Sequence, residues 1–231
     1  VYFTENIVQK YAQQRNFDFQ NKEKNCVSGL SAAITRRVIA EWDVARHVLN
    51  FHPYIKVEKF IQERCWRTYW KGYLEHYPSI WLRYKDDVEK MQDHKTHLNF
   101  KNADSGKTGI ECFDFWMSEL KNNGYLHNHS RMWFSSIWIH TLDLPWQLGA
   151  DIFMQYLLDG DPASNTLSWR WVAGLHTKGK TYLANAENIK KFTDGAFYPA
   201  NQLSKTPKFI FDDENHSLKE LKFKQDCTKE I

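Results

Sequence analysis

Through residues 58–77 the large aromatics Trp66, Tyr69, Trp70, Tyr73 and Tyr77 return at steps of three and four. That period lines them along one side of an α-helix and conflicts with the two-residue alternation of a half-buried strand. Residues 36–51 repeat it with Val38, Ile39, Trp42, Ala45 and Leu49. Further helices are expected over 110–123, ended by Gly124, over 127–142, ended before Pro145, and over 147–158. No alternating run and no βαβ spacing occurs, so the expected fold class is all-α. Residues 101–109 and 193–209 read as loops, and LKELKFKQ near the C-terminus as a short exposed helix.

The stretch LLDGDPASNTLSWRW, residues 157–171, adds a sharper signal. Asp161 followed by Pro162 is a strong helix start, because Asp caps free amides and Pro suits the first helical position. The helix should run to about Gly174, with Asn165 and Trp169 sharing a face. Trp171 lies about 200° around the axis from Trp169, at roughly 100° per residue, so the two tryptophans serve different surfaces.

Bulk properties set limits on function. The chain has 231 residues, and its 42% hydrophobic and 26% charged content suits a globular fold. A net charge of +3 leaves nucleic-acid binding to a local basic patch. Ten tryptophans within a 16% aromatic fraction suit a wide core, a stacking surface or a chromophore pocket. No apolar run is long enough to span a bilayer, and the opening VYFTENIVQKY shows neither an initiating Met nor a signal-peptide pattern. Cys26, Cys65, Cys112 and Cys227 have no C-x-x-C spacing, which points to reduced thiols and a cytoplasmic protein.

Other motifs fall away. SGKTG at 105–109 lacks the glycine five positions before Gly106, where Lys101 stands, so it is no Walker loop. His94, His97, His127 and His129 match no zinc spacing and read as solvated or helix-capping residues. No nucleophile elbow occurs. Glu63 and Arg67 make a favourable i,i+4 pair, flanked by Trp66 and Trp70, which is unusual for a solvated face.

YAQQRN (11–16), VSGLS (27–31), FIQERCWR (60–67), GKTG (106–109), HNHSRM (127–132) and LLDGDPASNTLSWRW (157–171) occur in that order. Together they resemble the FAD-binding helical domain of the DNA photolyase/cryptochrome family, over about residues 8 to 175. The resemblance implies a multi-helical domain over 1–200, a C-terminal extension over 201–231, and absence of the family's N-terminal α/β antenna domain from this chain. It implies FAD as cofactor, no metal and no membrane. The cofactor residues it implies are Tyr11, Val27, Ser28, Gly29, Leu30, Ser31, Phe60, Arg67, Asn128, Arg131, Asp159, Gly160, Asp161 and Asn165. Ser28 and Ser31 would meet the pyrophosphate at a helix start, Arg131 would pair with Asp159, and Asn165 would face flavin N5.

The expected reaction is blue-light-driven repair of cyclobutane pyrimidine dimers in DNA, by electron transfer from reduced flavin. Glu63, Asn165, Trp169 and Trp146 match its catalytic residues, the two tryptophans as the flavin-proximal and next members of an electron-transfer chain. Core packing is the competing role for Trp146. Arg15, Glu63, Trp66, Arg67, Asn128, His129, Met132 and Trp171 match positions at the lesion cavity or its DNA rim, where the dimer is flipped out of the duplex. Met132, rather than a His, speaks against the (6-4) branch.

This chain also departs from the pattern. Gly29 replaces a usual basic residue, Phe60 and Tyr125 replace common tryptophans, and His129 replaces a frequent arginine. The distal tryptophan falls near Ala103 and is missing, with Trp116, Trp133, Trp138 or Tyr125 as substitutes. The resemblance leaves two alternatives: a cryptochrome-like flavin photoreceptor acting through a protein partner, and a non-catalytic FAD-binding protein.

Overall fold

The computed structural model describes residues 2–177 and 180–210, and among them every regular element is helical. The expected all-α architecture is therefore observed. Short helical turns at Phe3–Ile7, Val8–Lys10 and Tyr11–Gln14 (α1) lead through an irregular segment to α2 (Ser31–Thr35). α3 (Glu41–Phe51) starts five residues later than its apolar spacing predicts, because Arg37 takes φ +58° and breaks the chain direction there. α4 (Tyr54–His76) is the longest helix at 23 residues. It stops where Pro78, unable to continue it, becomes the first residue of α5 (Pro78–Lys90).

α6 (Leu98–Asp104) corrects the loop expected over 101–109. Its Asn, Asp and Lys content reads as loop, but Phe100 and Ala103 bury against the core and override that propensity. α7 (Glu111–Asn123) ends as expected at Gly124, whose φ of +62° is a left-handed cap. α8 (Asn128–Ser136) continues through a π-helical turn, Ile137–Thr141. α9 (Trp146–Tyr156), α10 (Pro162–Val172) and α11 (Ala186–Phe192) follow.

The main core lies between α7, α8, α9 and α10, where Phe113, Trp116, Trp133, Phe134, Trp138 and Trp169 are almost wholly buried. Val8, Val44, Val48, Val57 and Phe60 form a second, smaller cluster that seats α3 and the N-terminal turns on α4. Residues after 200 stay attached to the main core, with Ser204 N donating to Thr141 Oγ1 and Lys208 N to His140 Nδ1. The expected helix at 218–225 and Cys227 lie outside the described residues, while Cys26, Cys65 and Cys112 are free thiols.

The N-terminal segment docks far along the chain. Asp18 N donates to Phe192 O at 2.8 Å, and Phe17 packs edge-on against the Phe192 ring. In the core, Gly149 lets α9 approach α10 closely: a Cβ there would stand 2.3 Å from Trp169 Cη2. Gly149→Ala is thus expected to lower stability by about 1–3 kcal/mol through overpacking. A thermal melt reads it; an unchanged Tm would show that the Trp169 ring can move aside.

Candidate functional site

Asp161 caps α10 by accepting from Ser164 N at 2.8 Å, and Pro162 takes the first helical position. This local chemistry fixes the 157–161 turn and points the carboxylates of Asp159 and Asp161, both about 8% exposed, toward α4 and α8. Arg131 on α8 donates to Asp159 Oδ2 at 2.9 Å, and its Nε donates to Leu126 O. Burial pushes the Asp159 carboxyl up, but the Arg131 charge and hydrogen bond outweigh it and hold the group below the usual carboxylate range.

Three further elements close on this turn. Thr35, at the end of α2, donates to Asp159 O at 3.4 Å, and Arg67 Nη1 of α4 donates to Thr35 Oγ1 at 2.8 Å. Arg67 Nε also pairs with Glu41 at 3.0 Å, and Lys71 stands 3.7 Å from Asp161. The Val27–Leu30 segment precedes α2, with Ser28 Oγ accepting from Leu30 N and Ser31 as the first helical residue. Gly29 is exposed at φ +65° with nothing near a Cβ position. Tyr11 is half-buried and edge-on to Phe60, their ring centroids 5.2 Å apart.

On α10, Asn165 is buried and its Nδ2 donates to Ala150 O at 2.8 Å, which leaves Oδ1 as the acceptor. Trp169, four residues on, lies in the core as its shared face with Asn165 requires. Trp171 occupies the other side, half-buried and stacked on Tyr182 at 5.6 Å. Asp159 Oδ1 and Trp169 Nε1 are buried without a hydrogen-bond partner, a costly state unless a polar group meets them. The pairing of Asp159 with Arg131, the acceptor of Asn165 and these two atoms fit a polar, planar heterocycle such as a flavin.

α4 supplies the outer wall. Glu63 pairs with Arg15 at 3.0 Å and Lys59 at 2.6 Å. Trp66 is half exposed and stacks on Trp70 at 5.5 Å, beside Tyr69, Tyr73 and His176. The helix carries Lys56, Lys59, Arg64, Arg67 and Lys71 against Glu58, Glu63 and Glu75, a local basic bias on a weakly charged chain.

Several expected residues stand apart. His129 is buried, stacks on Trp133 with centroids 4.0 Å apart, and holds Asn16 O with Nδ1. Its ring is therefore not offered to a DNA rim, which corrects that expectation, and neither His127 nor His129 is solvated. Asn128 is exposed at the start of α8, Met132 and Gly160 are half-buried. Trp146 makes no ring contact with Trp169; Trp138 does, edge-on at 6.4 Å. Trp146 stacks instead on Tyr84, and both line a cleft of about 590 Å³ that holds none of the expected cofactor residues.

Sequence reading passed over a buried polar network below α8. Asp18 accepts from Ser130 at 2.5 Å and from Lys22 at 2.8 Å, and Lys22 also reaches Glu119. His127 caps α8 by accepting from His129 N, and burial drives its pKa down to about 4 against the pull of Asp18. His127 thus takes the helix-capping of the two roles its spacing leaves open, whereas Asp18 carries no local signal. Among the described residues no group of three or more His, Cys, Asp or Glu could hold a metal, and no helix could cross a membrane.

A family model described as the FAD binding domain of DNA photolyase matches residues 60–206. The deoxyribodipyrimidine photo-lyase of Buchnera aphidicola subsp. Baizongia pistaciae is 33% identical over 182 residues, covering 75% of this chain and 38% of the relative. That of Escherichia coli K12 is 28% identical over 189 residues, covering 78% and 39%. Among solved structures, a bacterial class III photolyase from Agrobacterium tumefaciens superposes with TM-score 0.67 and 28% identity, over 83% of this chain and 40% of that one. A Synechocystis cryptochrome gives TM-score 0.68 at 18% identity, a likeness of fold alone. The chain spans about two fifths of the length of these relatives.

Proposed function

Since the chain belongs to the family of FAD-binding domains of DNA photolyase, we propose that it holds FAD against the Asp159–Arg131 pair and repairs pyrimidine dimers in DNA under light. The observation that carries this reading is the convergence of Asp159, Arg131, Asp161, Thr35 and Arg67 from four separate segments onto one buried turn, with Asn165 beside it.

Bound reduced flavin supplies the light-absorbing electron donor. The chain's residues do the rest. Arg131 keeps Asp159 ionised, so a fixed negative charge and its matched cation border the ring. Asn165, its Nδ2 committed to Ala150 O, presents Oδ1 as an acceptor, which favours a partner atom that carries a proton. Glu63, held by Arg15 and Lys59, would hydrogen-bond a flipped dimer. The half-exposed Trp66 and Trp171 offer π-faces for stacking of bases, and the cations of α4 meet phosphates.

The test is to load the purified chain with FAD, reduce it, and illuminate it with an oligonucleotide carrying a thymine dimer. Light-dependent loss of the dimer is expected. Glu63→Ala should cut that loss several-fold while flavin stays bound; loss of flavin instead would remove Glu63 from the lesion side. Bound flavin with no dimer loss in the parent chain would overturn repair and leave a flavin photoreceptor or a non-catalytic FAD-binding protein.

A further inference from the structure

Trp146 opens α9, and its neighbours form a column leading outward. Its ring lies nearly parallel to Tyr84, with centroids 5.7 Å apart and planes at 23°. Tyr84 in turn stacks on Trp81 at 5.2 Å and 28°. Trp81 and Tyr84 are three residues apart on α5, so the helix itself sets their rings on one face. Burial falls along the column: Trp146 and Tyr84 are 5% and 4% exposed, whereas Trp81 is half-buried. On the inner side, Trp169 meets Trp138 edge-on, and Trp138 Nε1 donates at 2.8 Å to Pro145 O, the carbonyl bonded to Trp146. Ala103, which falls where the resemblance places a distal tryptophan, is wholly buried and offers no ring.

We propose that Trp81 is the terminal electron donor of this chain, with the Tyr84 ring carrying the electron to Trp146. The inference rests on the flavin reading above. The oxidant is light-excited oxidised flavin acting through Trp169. One electron passes from Trp146 to oxidised Trp169 by way of Pro145 O and Trp138. One electron then leaves the Trp81 indole, crosses Tyr84 and fills the hole left on Trp146. The Trp81 radical cation releases its Nε1 proton to water, and a thiol in solution returns one electron and one proton, becoming a thiyl radical.

Charged groups flank the column. The buried Arg170 guanidinium lies 6.0 Å from the Trp146 ring centroid. Lys85 lies 5.8 Å over Trp81, but it is exposed, and water screens it. Around Tyr84, Asp151 of α9 shares its charge with Lys95 at 3.1 Å. Burial first, and Asp151 second, push the Tyr84 phenol up, so it keeps its proton and serves as a bridge and not as a phenolate.

The test compares the FAD-loaded parent chain with Trp81→Phe, Tyr84→Leu, Tyr84→Phe and the remote exposed-site control Trp42→Phe. Flavin content is measured first, and the neutral indole radical is then followed by transient absorption after a light flash. Trp81→Phe and Tyr84→Leu should shorten the radical's lifetime about tenfold or more, a barrier change of roughly 1.4 kcal/mol. Tyr84→Phe and Trp42→Phe should keep parental kinetics. Parental lifetimes in flavin-loaded Trp81→Phe would overturn the inference alone. Failure of the parent chain to take up flavin would overturn the proposed function, and this inference with it.

Discussion

Arg131→Ala is expected to destabilise the protein by about 3–5 kcal/mol, because it strands the Asp159 carboxylate in a site with little water. Asp159 is only 8% exposed, and Arg131 pairs with it at 2.9 Å. The same substitution should abolish flavin uptake, since the paired charge is part of the proposed ring border. A double-mutant cycle with Asp159→Asn separates the two effects. Adding Asp159→Asn to Arg131→Ala should restore a large part of the lost stability, because the uncompensated charge is then gone. Flavin uptake should stay lost in the double variant. A urea titration in which Arg131→Ala shifts stability by less than about 1 kcal/mol would show that the pair is open to solvent screening.

The second large effect is on acid stability. The unfolded chain protonates a histidine near pH 6.5, whereas folded His127 takes its proton only near pH 4. Between those values the unfolded state binds the extra proton, so unfolding becomes easier as pH falls. Full passage through that window costs about 3 kcal/mol at 1.36 kcal/mol per pKa unit. Asp18 acts in the same sense further down. Burial pushes its carboxyl up, but His127, Lys22 and Ser130 hold it below the usual value, so its contribution is lost at still lower pH. His127→Asn keeps a helix-capping side chain and removes the titration. The variant should show a flatter stability profile between pH 6.5 and pH 4. Some slope should remain, because burial also lowers His129, His140 and His176. A variant with the parental slope would place the acid sensitivity elsewhere.

The sequence showed most clearly what depends on neighbours a few residues away. Asp161 and Pro162 announce the start of α10, and Gly124 announces the end of α7, because caps act within one turn. The shared face of Asn165 and Trp169, and the separate one of Trp171, follow from helix geometry alone. α5 is legible in the same terms, with Pro78 at its start and Ile80 and Tyr84 four apart. α6 is not, since its polar residues read as a loop until Phe100 and Ala103 find the core. The ordered motifs identified Arg131 and Asp159, which do pair. They could not show that His129 turns inward, because its partners, Asn16 and Trp133, are set by tertiary docking. They also could not show that Trp146 leans on Tyr84 rather than on Trp169, since no local rule links α5 to the start of α9.

The docking of the N-terminal segment has a consequence for how the protein is made. Phe17 and Asp18 find their partners on α8 and at Phe192, the last residue of α11. During synthesis Phe17 and Asp18 emerge before Ser130, and Ser130 before Phe192. At about 5–20 residues per second the wait for Phe192 is roughly 10–30 s. Until then Phe17 lacks the Phe192 ring, although Ser130 is already available to Asp18. The clasp therefore closes in stages, and a ribosome stalled before α11 holds a segment that can reach α8 but not Phe192.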